Sequence, residues 1–435
     1  MKKVWANFEI GNPWVYNDLG CSPGFLVNYC NWLRSFTGKA EFIYIALYLF
    51  NNLELYNTLL ELAASGCKTI VYSIPLEGYD NDRPISIVKH INNESMGSMT
   101  KLDFAEPLYK DILASHNTNF ELRIVPHMYL RSKRVKAFSR GNLPYSLHCK
   151  TFLLSCKDGT TFAGLTSSNL AVRDAQKIEI ASIMSLSDDE VVSVFDFYEG
   201  LKDNSISIKD FDETADYSHY QTIQRNIPPK SRLMYIAPFY RDSASQFEKN
   251  IETIIGNAKN RIIVCAQHVC AFNYSYQETY TALNAPEGVI RKDGFLNEVL
   301  KKAKSGIQTQ LLSQTYVDSR GSHGCRAPEN KQSFINFTSA AKAVNCQYYV
   351  NESIHSKFII VDDNVIITTC NFTPTQFIYL PNVNIPDFDN IPGYSYSGVH
   401  CEYGVYSVIS NHDFANYIAS QFQRIITLDS THRMF

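Results

Sequence analysis

The sequence predicts an α/β fold made of two similar domains, and three observations predict it. One stretch occurs twice: Leu147-His148-Cys149-Lys150-Thr151-Phe152-Leu153-Leu154, then Ile354-His355-Ser356-Lys357-Phe358-Ile359-Ile360-Val361. Each copy is followed by a second apolar stretch ending in hydroxyl residues and an Asn, Thr166-Ser167-Ser168-Asn169 in one and Thr368-Thr369-Cys370-Asn371 in the other. Matched helix and strand patterns precede both copies in the same order. Repetition on this scale means two related α/β units in one chain.

The elements follow from apolar spacing and punctuation. After an irregular start, a helix is predicted over Gly24–Phe36, a strand over Phe42–Phe50, a helix through Leu53–Ala64 and a strand over Thr69–Ile74. Ser65-Gly66 closes the second helix, since Gly suits the left-handed cap. The second half repeats this order with a helix at Gln246–Ala258, a strand at Ile262–Gln267, a helix at Phe295–Lys304, a cap at Ser305-Gly306 and a strand at Thr309–Ser313. A further helix and strand lead towards each His: Leu108–Ala114 and Phe120–Val125, then Phe334–Val344 and Gln347–Val350. Ser187-Asp188-Asp189-Glu190 reads as the acidic start of a helix running to Leu201, and His412–Ile425 is its counterpart. The polar stretch between Asp203 and Lys230 ends in Ile227-Pro228-Pro229-Lys230 and reads as the join. The domains are therefore expected at 1–205 and 230–435, with 206–229 as a linker. Gly78–Thr100, Thr315–Lys331 and Phe377–Gly398 read as long loops that differ between the halves.

Composition sets the outer limits. A chain of 435 residues with 45% apolar side chains can bury a large core and is not a disordered polymer. Its longest apolar run, Phe42 to Phe50, is too short to span a bilayer, and no secretory signal follows Lys2 and Lys3. Eleven cysteines without Cys-x-x-Cys spacing imply reduced thiols in an intracellular, cytoplasmic protein and no zinc site. Cys149 and Cys370 alternate with proposed site residues and are expected to face the core. The net charge of −3 does not mark a nucleic-acid binder, so local charge must carry that question.

The repeated stretch carries the chemistry. On a strand, His and Lys two positions apart point to one face, so each copy aims an imidazole and an ammonium at one spot. An imidazole can attack phosphorus or protonate a leaving oxygen, while Lys and Asn hold the equatorial oxygens with no metal or cofactor. A single His-x-Lys arises often by chance and a lone His beside a strand is usually a hydrogen-bonded core residue. Two copies with the same downstream Asn reverse that balance.

These residues resemble the phospholipase D superfamily, whose signature is His-x-Lys-x4-Asp followed by Gly-Ser-x-Asn. His355, Lys357 and Asp362 fit the first part, with Thr369 and Asn371 standing at the Ser and Asn. In the first copy His148, Lys150, Ser167 and Asn169 fit, but Ser155 occupies the Asp position. The resemblance implies mixed sheets flanked by helices, packed with pseudo-two-fold symmetry and with the site in the seam. It implies that His148 attacks phosphorus to form a phosphohistidine and that His355 protonates the leaving oxygen, roles that reverse if Ser155 impairs the first copy. It implies too that Lys150, Lys357, Asn169 and Asn371 bind phosphate, and that Glu179 and Glu402 each accept a hydrogen bond from a catalytic His. Asp362 is expected to be structural, holding its own turn at Asp362-Asp363-Asn364 or pairing with a neighbouring domain.

Arg131, Lys133, Arg134, Lys136 and Arg140 form a basic run with Phe138, near Tyr145 and just before His148. Such runs usually mark a solvated surface, but beside this site the run suits a polyanionic strand. Arg320, His323, Arg326 and Lys331 are a weaker second cluster. The expected activity is a metal-independent phosphodiesterase, a nuclease acting on DNA or RNA. The alternatives are a phospholipase or phosphatidyltransferase on phospholipid, and a non-catalytic module that binds nucleic acid or protein. Ser167, Thr369, Arg131, Lys133, Arg134 and Arg140 are the expected substrate contacts; the oligomeric state is not readable.

Overall fold

The computed structural model describes residues 14–16, 24–48, 50–74, 77–80, 83–86, 106–125, 147–171, 177–211, 223–269, 294–315, 328–372, 380–385, 396–400 and 402–435. The first half runs β1 (Trp14–Tyr16), α1 (Gly24–Arg34), β2 (Ala40–Leu47), α2 (Leu53–Ala64), β3 (Lys68–Ser73), β4 (Glu77–Asp80), β5 (Arg83–Ser86), α3 (Glu106–Ala114) and β6 (Phe120–Ile124). It continues with β7 (Thr151–Cys156), β8 (Thr161–Thr166), β9 (Glu179–Ser185), α4 (Asp188–Asp203) and β10 (Ile206–Ser207). The second half runs β11 (Leu233–Ile236), α5 (Ser243–Gly256), β12 (Arg261–Cys265), α6 (Phe295–Lys304), β13 (Gln308–Ser313), α7 (Pro328–Ala343) and β14 (Gln347–Val350). β15 (Phe358–Val361), β16 (Asn364–Thr368), β17 (Leu380–Ile385), β18 (Tyr396–His400), β19 (Gly404–Ser410), α8 (His412–Ile426) and β20 (His432–Arg433) complete it.

The two halves build the same sheet. The first is ordered β1-β9-β8-β7-β2-β3-β6-β10 and the second β11-β19-β16-β15-β12-β13-β14-β20, so each strand has a counterpart at the same place. In both, three central strands run parallel and the rest antiparallel, with β2 against β3 and β12 against β13 in parallel register. The predicted helix ends recur as well: Gly66 and Gly306 have φ of +92° and +96°, the left-handed backbone that glycine adopts without steric cost. Their amides close onto Ala63 O and Ala303 O.

Three predicted loops are only partly loops. Gly78–Thr100 contains part of the β4–β5 hairpin, Phe377–Gly398 contains most of the β17–β18 hairpin, and α7 starts at Pro328, inside the third. The alternation in these stretches is short and interrupted by Pro, which hides a strand from a period-based reading. The irregular start holds β1, which pairs antiparallel with β9. Ile206 and Ser207, expected in the linker, pair with Ile124 and Arg123.

The core crosses the seam. One apolar cluster joins Phe197 and Tyr198 of α4 to Tyr235, Phe239 and Tyr403 of the second half. Phe197 stacks on Tyr235 with ring centroids 3.9 Å apart, and a Cβ on Gly200 would come within 2.5 Å of the Phe239 ring. Glycine is needed there because the helix backbone lies directly on an aromatic face. Polar ties flank this contact: Arg232 Nε donates to Glu190 Oε1 at 2.7 Å, while Arg225 and Tyr240 both donate to Asp196. Among the described residues no helix is long and apolar enough to cross a membrane.

Candidate active site

Both His-x-Lys segments lie in extended backbone just before a strand, at residues 147–150 ahead of β7 and 354–357 ahead of β15, rather than on the strand as expected. Residues 355 and 356 bond to Ile178 O across the seam rather than to a neighbouring strand of their own sheet. Lys150 Nζ donates to His148 O at 2.8 Å and Lys357 Nζ to His355 O at 2.6 Å, bonds that a paired strand carbonyl would not offer. The second apolar strand still runs alongside, since Thr166 N donates to Lys150 O and Thr368 N to Lys357 O, each at 3.0 Å. Both lysines are fully buried. An ammonium removed from water needs anionic compensation, and the Glu179 carboxylate lies close enough to interact with both.

The carboxylates are exchanged between the halves. Glu179, the first residue of β9, lies 2.6 Å by its Oε1 from Nδ1 of His355. Glu402, just before β19, lies 3.9 Å by its Oε2 from Nδ1 of His148. Each imidazole therefore takes its carboxylate from the opposite half, so neither half alone completes a His–Glu pair. Glu179 also receives the Ser167 hydroxyl. Burial pushes Glu179 up to about 7, against the pull of Lys357, the Ser167 hydroxyl and Lys150. That the lysines of both halves act on one carboxylate places the two His-x-Lys segments around a common point.

The segment ahead of His355 is held by many bonds. Ile178 N donates to Ser353 O at 2.7 Å, and Ile178 O accepts from His355 N, Ser356 N and Ser356 Oγ. Gln314 Nε2 donates to Glu352 O and Ile354 O, and Ser353 N donates to Asn351 Oδ1. Ile178 is the neighbour of Glu179, so one strand start fixes both the loop and the carboxylate that orients its imidazole.

Asn169 and Asn371 follow β8 and β16. Asn371 Oδ1 is buried and accepts no hydrogen bond from any described residue. Leu170, beside Asn169, has φ of +54°, a left-handed backbone costly for a branched side chain and of the kind that accumulates at functional sites. Ser167 and Thr369, expected to touch substrate, are fully buried and engaged with the adjoining strand, Ser167 with Glu179 and Ile180, Thr369 with Val405 N. Cys149 and Cys370 are buried, and desolvation pushes both thiols up, which makes them inert. Arg131, Lys133, Arg134, Lys136, Phe138, Arg140 and Tyr145, with Arg320, His323 and Arg326, lie outside the described residues, as does the side chain of Lys331.

Asp362 is a backbone anchor. Its carboxylate accepts from Lys259 N, Asn260 N and Arg261 N at 2.8 to 3.0 Å, and its own φ is +52°. The first half differs here. Leu154 pairs with Ile43 as Val361 pairs with Ile262, so Ser155 does stand at the place of Asp362, but β7 runs on to Cys156 and the turn comes later. Ser155 is an interior strand residue bonded to Thr161.

Sequence reading missed two neighbours of the site. The Tyr48 ring packs edge-on against His148 at 5.3 Å, with Lys150 Nζ 5.6 Å from its centroid. His268 lies beyond the end of β12, its carbonyl accepting from Phe372 N; burial, Lys357 and His355 push it down to about 3, so it is neutral at ordinary pH. Superposing the halves on Thr69 and Thr309 would have brought forward Tyr48 and Gln267 as matched positions after the central strand. It gives no signal for His268, because the chemistry of that position exists in one half only.

No protein-family model matches this sequence, and no curated protein matches it by sequence. Solved structures do match its fold. Phosphatidylserine synthase from Haemophilus influenzae is 11% identical, with 96% of this chain and 86% of that chain covered at a TM-score of 0.54. Polyphosphate kinase from Porphyromonas gingivalis is 11% identical at a TM-score of 0.48, covering 94% of this chain and 49% of that one, so this chain spans about half the length of the kinase. Nuc from Salmonella typhimurium, a phospholipase D family member, is 13% identical at a TM-score of 0.27, covering 46% of this chain and 95% of that one. Two like α/β domains that bring paired His-x-Lys segments to a shared seam define the class. The chain has the phospholipase D-like fold.

Proposed function

We propose that the protein is a phosphodiesterase that works through a covalent phosphohistidine without a metal, with a nucleic-acid strand as substrate. The observation that carries the reading is the exchanged His–Glu pairs, set beside two buried lysines. In the first step, Nε2 of one imidazole attacks phosphorus. The bond to the leaving oxygen breaks, and the second imidazole, entering as imidazolium, gives that oxygen its proton. In the second step, the same imidazole takes a proton from water as the water oxygen attacks phosphorus and the P–N bond breaks. Lys150, Lys357, Asn169 and Asn371 hold the equatorial oxygens throughout, Glu179 fixes the His355 ring through Nδ1, and Glu402 faces Nδ1 of His148 from further off.

The basic run between Arg131 and Arg140 supports a polyanionic strand as substrate. A second reading, transfer of a phosphatidyl group, is supported by the fold shared with the phosphatidylserine synthase. Labelled single-stranded oligonucleotide and phosphatidylcholine vesicles, each incubated with excess chelator, separate the two. Cleavage of the oligonucleotide alone is expected. Cleavage of the lipid alone would transfer the site to a headgroup, and turnover of neither, with binding retained, would make the protein a non-catalytic module.

A further inference from the structure

We propose that His268 is a positioning residue of this site: its imidazole N–H holds Oδ1 of Asn371 and so aims Nδ2 of that amide at a phosphoryl oxygen. The inference rests on the phosphodiesterase reading, in which Asn371 holds an equatorial oxygen, and adds a third imidazole to it. Placement comes first. The β12–β13 ladder runs on past the strand ends, since Ala266 N donates to Leu312 O and Gln314 N to Gln267 O. His268 is the next residue, and its carbonyl accepts from Phe372 N at 3.1 Å. Val269 and Phe372 pair there across a parallel bridge, both buried in the core of the second half. Successive side chains alternate faces, so the preceding pair, His268 and Asn371, turn together away from that core. Both of these residues keep partial exposure, unlike the pair behind them. Backbones in such register lie about 5 Å apart, which brings two polar side chains on one face within reach of a hydrogen bond.

The chemistry of the pair is complementary. Asn371 Oδ1 is buried and accepts no hydrogen bond from a described residue. A phosphodiester has no proton to give it. With the amide N–H turned to the substrate, its carbonyl therefore needs a donor from the protein, because a buried acceptor left without one is costly. A neutral imidazole offers one N–H and adds no charge. Burial, then Lys357 and His355, hold His268 down at about 3, so the ring is neutral and within electrostatic reach of the second His-x-Lys segment. Oδ1 has no such bond in this structure; the contact is one that closes as the amide turns to its substrate, as hydrogen bonds at reacting centres commonly do. Sheet register limits the device to one half. Cys265 faces Phe358 as Ala46 faces Thr151, each three residues after its His, which sets His268 at the position of Leu49. Leucine has no proton to donate.

A double-mutant cycle on bis(p-nitrophenyl) phosphate tests the link. His268→Leu, which installs the first-half side chain, should lower kcat/KM about tenfold. On an Asn371→Ala background the same change should cost less than about twofold, because the amide that it positions is gone. His268→Gln keeps an N–H donor and should recover most of the loss, whereas a merely structural role would give additive losses and no rescue. Urea midpoints confirm that each variant folds, and His268→Phe, a ring without a donor, repeats the cycle should the leucine variant not fold. Equal losses on the two backgrounds, or a Gln variant as poor as Leu, would overturn the inference and leave the phosphodiesterase reading intact. Calorimetric binding of inorganic phosphate runs the same cycle without turnover, and His268→Leu should weaken it about tenfold in the parent and little in Asn371→Ala. Coupled phosphate binding by a protein that turns over neither this ester nor oligonucleotide would keep the inference and remove the phosphodiesterase reading. Neither turnover nor phosphate binding would remove both.

Discussion

On one side of the seam, His355 is clamped: carboxylate at 2.6 Å, preceding loop tied to Ile178 and Gln314, surroundings closed. On the other, His148 keeps 3.9 Å from its carboxylate, leans on an aromatic ring and retains some exposure. The strands behind them match one for one, so the difference does not come from the scaffold. It comes from the few residues at the strand ends. Duplication supplied two equivalent imidazoles, and local packing has given them unequal distances to their carboxylates and unequal exposure.

The largest expected effect tests that inequality. Glu179→Gln should lower kcat on bis(p-nitrophenyl) phosphate by roughly 10³-fold or more, since a carboxamide leaves the ring free to take the wrong tautomer. Glu402→Gln should cost about tenfold on the same ester, because at 3.9 Å that carboxylate constrains its ring less. Equal losses for the two would erase the comparison. Next is Ser155→Asp, which restores the letter of the motif in the first copy. The position is inside β7 against Thr161, far from the amides that Asp362 serves, so burial of an unpaired carboxylate is expected to destabilise by about 3 kcal/mol or more without raising activity. A variant that unfolds later in urea and turns over faster would contradict the placement of Ser155 inside the strand.

Asp362→Ala leaves three backbone amides without their acceptor and should cost about 1–3 kcal/mol in urea unfolding. Gly200→Ala drives a methyl into the Phe239 ring and should cost about 1–3 kcal/mol; because the contact joins the halves, loss of activity should accompany loss of stability.

The smallest effect is in the pH dependence. Burial holds the folded-state pKa of Glu179 at about 7, above its ordinary value, so the folded protein binds the proton more tightly than the unfolded chain. Stability from this group is full below the ordinary carboxylate range and is lost as pH rises through about 7. Glu190 has the opposite sign. Although its burial opposes the shift, Arg232 and the Ser187 amide hold it down at about 2, so its contribution is present near neutrality and lost as pH falls below the ordinary range. Glu179→Gln should therefore flatten the neutral side of a plot of urea midpoint against pH, and Glu190→Gln the acid side.

Much of this molecule was legible in its sequence. The duplicated His-x-Lys and Asn segments, the Ser-Gly helix ends at Ser65-Gly66 and Ser305-Gly306, and the order of helices and strands are local patterns, set by side-chain period and by glycine's access to positive φ. They were enough to give two like domains and to name His148, Lys150, His355 and Lys357, while the resemblance to the phospholipase D superfamily added Glu179 and Glu402. The hairpins at 77–86 and 380–400 were not legible, because short strands broken by proline carry too little alternation.

Which carboxylate serves which imidazole was decided only by tertiary structure. Glu179 and His355 stand 176 positions apart, and no spacing rule reaches across a seam formed by packing. Counting seven residues from His148 does land on the place of Asp362, at Ser155, but only the structure shows that β7 continues there and pairs Ser155 with Phe42 and Thr161. Sequence fixes what a residue can do through its chemistry and its immediate neighbours. What surrounds an ionisable group, and hence whether its proton is shared, kept or exchanged with water, depends on desolvation and on charges from distant segments, which exist only once the chain has folded.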